Sequence, residues 1–230
     1  MRYLIVNADD FGATRGINRG IIEAHLHGVV TSTSLMVTTP WCEDAVRLAR
    51  TAPDLGVGLH VDLGDAAKAS AADPDDIHRC ATELQRQLLL FEAMTGRRPT
   101  HLDSHHNSHR DPRLLACFLQ LSREHDLPLR EHSAAQYVSS FYGRWGGETH
   151  PEQIGVDALI GMLDRDIGEG FSELSCHPGY SDSDLRSGYA VERELELQTL
   201  CDPAIVRALR DRQIRLIGFR DLRLEPVGSH

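Results

Sequence analysis

RYLIVNADD, residues 2–10, is an apolar run that turns acidic at its C-terminal end. A stretch this rich in Leu, Ile and Val predicts a strand buried on both faces, the kind found in parallel sheets. GINRGIIEAHLHG (16–28) follows as an amphipathic helix stopped by Gly28. The alternation continues outward. VVTSTSLMVTT (29–39) reads as a second strand, and CEDAVRLARTAP (42–53) as a helix ended by Pro53. LGVGLHVDLG (55–64) is a third strand, and DPDDIHRCATELQRQLLLFEAMTG (73–96) a long helix with Gly96 as its C-cap. PTHLDSHHNSHR (99–110) opens as a fourth strand, PRLLACFLQLSREHD (112–126) is a helix, and LPLREHS (127–133) a fifth strand. SAAQYVSSFYGRWGGETHPEQIG (133–155) has no clear period and reads as a long loop, a length that in compact domains is usually functional or disordered. VDALIGMLDRDIG (156–168) is a helix, and FSELSCHPGY (171–180) a sixth strand with its loop. RELELQTLCDPAIVRALRDRQ (193–213) is helical, and IRLIGFRDL (214–222) a last strand with its exit. Strand–helix alternation from end to end implies an α/β fold with a parallel sheet and covering helices, either a (β/α) barrel of the TIM type or an open doubly wound sheet, in a single domain over 1–230.

This map orders the chemistry. Asp9 and Asp10 end the first strand, His60 lies late in the third, Asp103 and His105 end the fourth, and His177 ends the sixth. Barrels gather such ends on one rim, where their enzymes work. Adjacent carboxylates are expensive to bury unless paired or metal-bound, although an Asp-Asp pair also serves as a solvated turn or a helix cap. Neighbours in a strand point to opposite sides. Both can therefore serve one site only if the chain turns there, and Phe11-Gly12 suits a turn. His60 sits in an apolar run, as a ligand or as a satisfied core histidine; Asp62 would share its face and could orient it. HLDSHHNSH (101–109) holds four of the chain's thirteen histidines, which marks it as the richest ligand source. Two imidazoles and a carboxylate suit Zn²⁺ or another divalent ion with an open position for water. His177, held by Pro178-Gly179, fits a general acid or a plain turn residue. Tyr142 and Trp145, with Phe141, offer aromatic faces that stack on sugars or pack the loop. Tyr142, Trp145 and Asp103 are the candidate substrate contacts. Glu173 stays undecided between orienting a neighbour and ordinary strand duty.

The net charge of −10 argues against nucleic acid and anionic membrane surfaces as partners. No apolar run is long enough for a bilayer, and the start lacks a signal-peptide pattern, so a cytoplasmic location is expected. The five cysteines (Cys42, Cys80, Cys117, Cys176, Cys201) are odd in number and show no CxxC spacing, which reads as reduced thiols. No Walker loop, GxGxxG or GxSxG supports a nucleotide site or a serine hydrolase.

VNADDFG (6–12), GII-EA with GVVTSTSLM (20–36), GLH (58–60), PTHLDSHH (99–106), CHPG (176–179) and a C-terminal RE-EL-L with LIGFRDL together resemble the YdjC-like carbohydrate deacetylase family, which includes chitooligosaccharide deacetylases. The resemblance runs nearly end to end. It implies a distorted (β/α) barrel that hydrolyses acetyl from an N-acetylated sugar with one divalent metal ion, Zn²⁺ or Mg²⁺. It also implies Asp10, His60 and His105 as metal ligands and Asp9 as general base, dividing roles that the residues alone leave open. His177 is then the expected acid. Two departures stand out: DSHHNSH has Asn107-Ser108 where members often read DSHHHVH, and the segment after His60 is short. Barrel loops set specificity, so the particular sugar is left open, as is a homodimer. A phosphoesterase and a silent sugar- or metal-binding protein are the competing readings, and acetate release separates the first reading from both.

Overall fold

The computed structural model describes residues 1–64, 74–185 and 187–223. The first half runs β1 (Arg2–Phe11), α1 (Arg15–Leu26), β2 (Ser32–Leu35), α2 (Cys42–Ala49), β3 (Gly56–Val61), α3 (Pro74–Thr95), β4 (Leu102–Ser104) and α4 (Leu115–His125). The second half runs β5 (Ala135–Val138), β6 (Arg144–Trp145), β7 (Glu148–Thr149), α5 (Val156–Arg165), β8 (Gly170–Cys176), α6 (Val191–Leu200), α7 (Pro203–Asp211) and β9 (Ile214–Leu216). The main sheet is parallel, in the order β4-β3-β2-β1-β8-β5. β8 lines one edge of β1 along Arg2–Ala8, so β2 and β9 share the other: β9 pairs with Arg2–Leu4 and β2 begins at Asn7. From Leu4 onward every β1 residue is buried, as a strand covered by helices on one face and by barrel interior on the other must be. Leu129 makes a single parallel bridge to Leu102 on the outer edge of β4, and its chain leads on into β5. Chain rather than a ladder thus joins the two ends of the sheet, which gives the expected barrel its distortion.

The expected fifth strand at 127–133 is corrected to that one bridge. Pro128 has no N–H to donate, and Glu131 adopts φ +64, which breaks an extended ladder. The true fifth strand, β5, lies inside the stretch read as loop; its four residues are too few to show a period. The same stretch holds the β6–β7 hairpin, turned by Gly146 (φ +61) and Gly147 (φ +85), as a two-residue loop with both φ positive requires. The helix read over 193–213 is two. Asp202 accepts a hydrogen bond from the Ala204 N–H and Pro203 takes the first helical position, which starts α7 afresh. β4 stops at Ser104, so His105 leaves the strand and does not share a face with Asp103. Gly96 follows α3 at φ +68, donating to Glu92 O, as expected of a C-cap. The proposed helix start at Asp73 and the short segment after His60 lie largely outside the described residues. Among the described residues no helix is long and apolar enough to cross a membrane.

α1 lies close to the turn after β8: a Cβ on Gly20 would come 2.5 Å from Gly179 Cα. Helix propensity favours Gly20→Ala by about 1 kcal/mol. Overpacking against backbone costs about 1–3 kcal/mol, so contact outweighs propensity. Thermal unfolding should show Gly20→Ala lowering Tm by a few degrees; a rise would contradict this packing.

Candidate active site

β1 ends in a turn that solves the problem of two neighbouring carboxylates. Its register to β2 shifts between Ala8 and Phe11, and Asp10 adopts φ +71. This left-handed residue rotates Asp10 onto the side that Asp9 faces, so both line one cleft. An aspartate tolerates that conformation better than most residues, at a cost of about 1–2 kcal/mol.

Behind Asp9 lies Arg130, 1% exposed. Its Nη1 and Nη2 donate to Asp9 Oδ2 and Oδ1, both at 2.8 Å. Nη2 also lies 2.8 Å from Asp103 Oδ2, and Nε donates to Glu173 Oε1 at 2.7 Å. One guanidinium therefore holds three carboxylates of the barrel interior. Asn7 Nδ2 adds a bond to Asp9 Oδ1 (2.8 Å), and Ser34 Oγ one to Asp103 Oδ2 (2.6 Å). Burial works to raise the Asp9 pKa, but the charge and hydrogen bonds of Arg130 outweigh it and hold Asp9 low. Glu173 shares the guanidinium with two stronger claimants, and burial pushes it up to about 7.

Asp10, His60 and His105 form a second group, each offering one ligand atom within 4.8 Å of the others. His60 Nδ1 donates to Asp103 Oδ1 at 2.7 Å, so Nε2 is the nitrogen that faces Asp10 Oδ1, at 3.4 Å. His105 Nδ1 lies 3.1 Å from the same oxygen. Arg193 Nη2 takes the other oxygen, Oδ2. Two imidazole nitrogens thus face one carboxylate oxygen, an arrangement that hydrogen bonds from the rings satisfy and that could also hold a cation. Burial alone would lower the His60 pKa, yet the charge of Asp103 and the bonds to Asp10 and Asp103 push it up to about 10. The donor set fits a borderline divalent ion in place of that proton. Asp9, His60 and Asp103 also lie close enough to share an ion, but Arg130 already neutralises both of those carboxylates. A cation there would meet the guanidinium. Asp103, rather than Asp62, orients His60; Asp62 accepts from the Gly64 N–H instead.

His177 closes the opposite wall. Its Nε2 stands 3.9 Å from Asp9 Oδ2. Its backbone N–H donates to Glu196 Oε2, and Arg193 donates to its backbone carbonyl at 3.3 Å. Burial lowers the His177 pKa and pushes Glu196 up to about 8. The Tyr189 hydroxyl donates to Glu196, and its ring stacks on Tyr142 with centroids 4.8 Å apart. The cleft has a volume of about 350 Å³ and brings together Asp9, Asp10, His60, His105, His177 and Tyr142. Two expected substrate contacts lie elsewhere. Asp103 is fully buried beneath His60, and Trp145 stacks on His150 in the exposed hairpin. Arg130, Arg193, Glu196 and Tyr189 escaped the sequence reading. The Arg in LPLRE, a charge inside an apolar run, was the available signal for Arg130. Arg193 and Glu196, three apart on one face of α6, were the signal for the others.

A parallel sheet curled toward a barrel, with acids and imidazoles gathered at its strand ends, is the architecture of barrel hydrolases. The chain belongs to the YdjC-like protein family, whose family model matches residues 3–211. It is 36% identical to a carbohydrate deacetylase of Geobacillus stearothermophilus, covering 96% of this chain and 98% of that protein. Identity to a carbohydrate deacetylase of Clostridium beijerinckii is 33%, covering 95% and 99%. Among solved structures, an Enterococcus faecalis protein to which cellobiose-phosphate cleavage is ascribed superposes with a TM-score of 0.82 at 30% identity, covering 96% and 98%. A family 4 carbohydrate esterase from Streptomyces lividans, solved with acetate, shares the fold at a TM-score of 0.59 and 13% identity, covering 94% and 91%.

Glu196 carries a pH prediction. Its folded pKa, about 8, lies above the ordinary 4.5. Its protonated form is the stabilised one, so that stability is complete below about pH 4.5 and is lost as pH rises through about 8. Urea unfolding from pH 5 to 8 should show Glu196→Gln gaining on the original chain as pH rises, by a few kcal/mol. Parallel profiles would contradict a buried, neutral Glu196.

Proposed function

We propose that this chain is a divalent-cation-dependent carbohydrate N-deacetylase, releasing acetate from an N-acetylated sugar. The convergence of Asp10 Oδ1, His60 Nε2 and His105 Nδ1 beside an ionised Asp9 carries the reading. The names of the Geobacillus and Clostridium relatives support the acyl-sugar substrate. Asp10, His60 and His105 would hold the ion, Zn²⁺ or Mg²⁺. When bound, such an ion supplies Lewis acidity to an acyl oxygen and to a water in the cleft.

The chain's own residues supply the rest. Asp9 stays ionised because Arg130 fixes it, and it takes the proton of the water that attacks the acetamide carbon. Arg130 also fixes the direction of its lone pairs. His177 rests neutral, so the proton for the leaving amine must arrive during turnover. Asp9, 3.9 Å from His177 Nε2, is its source. One proton thus passes from water to Asp9, to His177, to the amine. The C–O bond forms, the C–N bond breaks, and the acetic acid, which keeps the water's second proton, gives it up to the free amine as acetate and the ammonium sugar leave. Tyr142, stacked on Tyr189, offers the sugar's C–H face an aromatic wall.

The test pairs metal analysis with acetate release over a panel of N-acetylated mono- and oligosaccharides. Asp9→Asn should keep its metal content and lose at least about 10³-fold in kcat, since base and proton carrier go together. Chelation should abolish turnover and a divalent ion should restore it. Full activity in Asp9→Asn would remove Asp9 from the mechanism, and metal-loaded protein inactive across the panel would overturn the deacetylase reading.

A further inference from the structure

The wall of the cleft beyond His105 has an unusual backbone. Residues 105–110 form a tight helical turn, and within it His106 (φ 55) and Asn107 (φ 52) are both left-handed. Two successive non-glycine residues in that region store strain, which folded chains keep mostly where function uses it. The two line the cleft together, with the His106 ring 3.8 Å from that of His105. Asparagine suits such a position, because its short side chain tolerates left-handed backbone.

Asn107 does not repay the strain with local bonds. Its Oδ1 is buried without a hydrogen-bond partner, and its carboxamide makes no hydrogen bond among the described residues. The neighbouring Ser108 shows what a structural polar residue does here: its Oγ donates to His105 O at 2.8 Å and ties the turn. A buried amide oxygen left unpaired is costly, and native chains rarely keep one without use. The terminal torsion of asparagine is soft, so the carboxamide of this cleft-lining residue turns at little cost.

We propose that Asn107 is a specificity-determining residue that reads a ring hydroxyl of the sugar bearing the acetamide. This rests on the deacetylase reading of the same site. A hydroxyl is the natural complement of a carboxamide: it donates to Oδ1 and accepts from Nδ2. A site built to bond a hydroxyl discriminates against the analogue lacking it, because its own polar group is then left unpaired. Among the described residues the side chain is hydrogen-bonded to neither Asp9 nor the three candidate ligands, so its removal changes recognition without removing the base or an ion ligand.

The experiment uses the full chain loaded with a divalent ion. Substrates are the N-acetylated sugar it turns over best, the monodeoxy analogues of that sugar, and an aryl acetate with no ring hydroxyl. Asn107→Gly deletes the carboxamide and accepts the left-handed backbone; Asn107→Asp keeps the shape and loses the donor. Both should lower kcat/KM for the parent sugar about tenfold. Both should match the original chain on the aryl acetate and on the one deoxy analogue lacking the hydroxyl that Asn107 reads. An equal loss on every substrate, or none on the parent sugar, overturns the inference while leaving the deacetylase reading intact. If the original chain releases no acetate from any N-acetylated sugar yet cleaves the aryl acetate, the deacetylase reading itself falls, and the inference with it.

Discussion

A single buried guanidinium organises the interior of this barrel. Arg130 binds Asp9, Asp103 and Glu173, which arrive on β1, β4 and β8. Three carboxylates without it would be a prohibitive cluster in an apolar core; with it, the two that bind through Nη atoms stay ionised. The consequences run outward. Asp103, held by Arg130, fixes His60 through Nδ1, and that leaves Nε2 to face Asp10. Asp9, held the same way, keeps its charge with both oxygens bonded to the guanidinium. Arg130 thus engages both oxygens of Asp9, whereas Arg193 takes only Oδ2 of Asp10 and leaves Oδ1 facing the two imidazoles.

The second constraint is backbone. In a regular strand Asp9 and Asp10 would face opposite sides of the sheet. The register shift at the end of β1 and the left-handed Asp10 put both at one cleft. α6 then supplies Arg193 to Asp10 Oδ2 and Glu196 to the His177 N–H, so one helix steadies both walls.

Much of this was legible in the sequence. Strand–helix alternation gave the parallel sheet, and residues at separate strand ends converge as a barrel rim requires. The NADDFG and HLDSHH segments, read with the rest of the chain, pointed to the family that the comparisons show. What escaped had physical reasons. β5 is four residues long and holds a Gln, below the length at which period shows. Arg130 stands in a segment that reads as a strand but makes one bridge; its charge inside LPLRE marks it, but its inward direction is set by Asp9, Asp103 and Glu173, all distant in sequence. The inward direction of Asp103 is not visible in HLDSHH; its full burial follows from long-range packing against Arg130 and Ser34. Trp145 sits in the Gly146-Gly147 hairpin, whose direction depends on a turn that sequence spacing alone does not orient.

The central claim is that Arg130 reserves Asp9 and Asp103, leaving Asp10, His60 and His105 to take the ion. The most direct measurement is anomalous diffraction from crystals grown with Zn²⁺ or Mn²⁺, collected at the metal edge. The account predicts one ion bonded to Asp10 Oδ1, His60 Nε2 and His105 Nδ1, with Asp9 still paired to Arg130 outside the coordination sphere. An ion bridging Asp9 and Asp10, or one seated between Asp9 and Asp103 with Arg130 displaced, would contradict it.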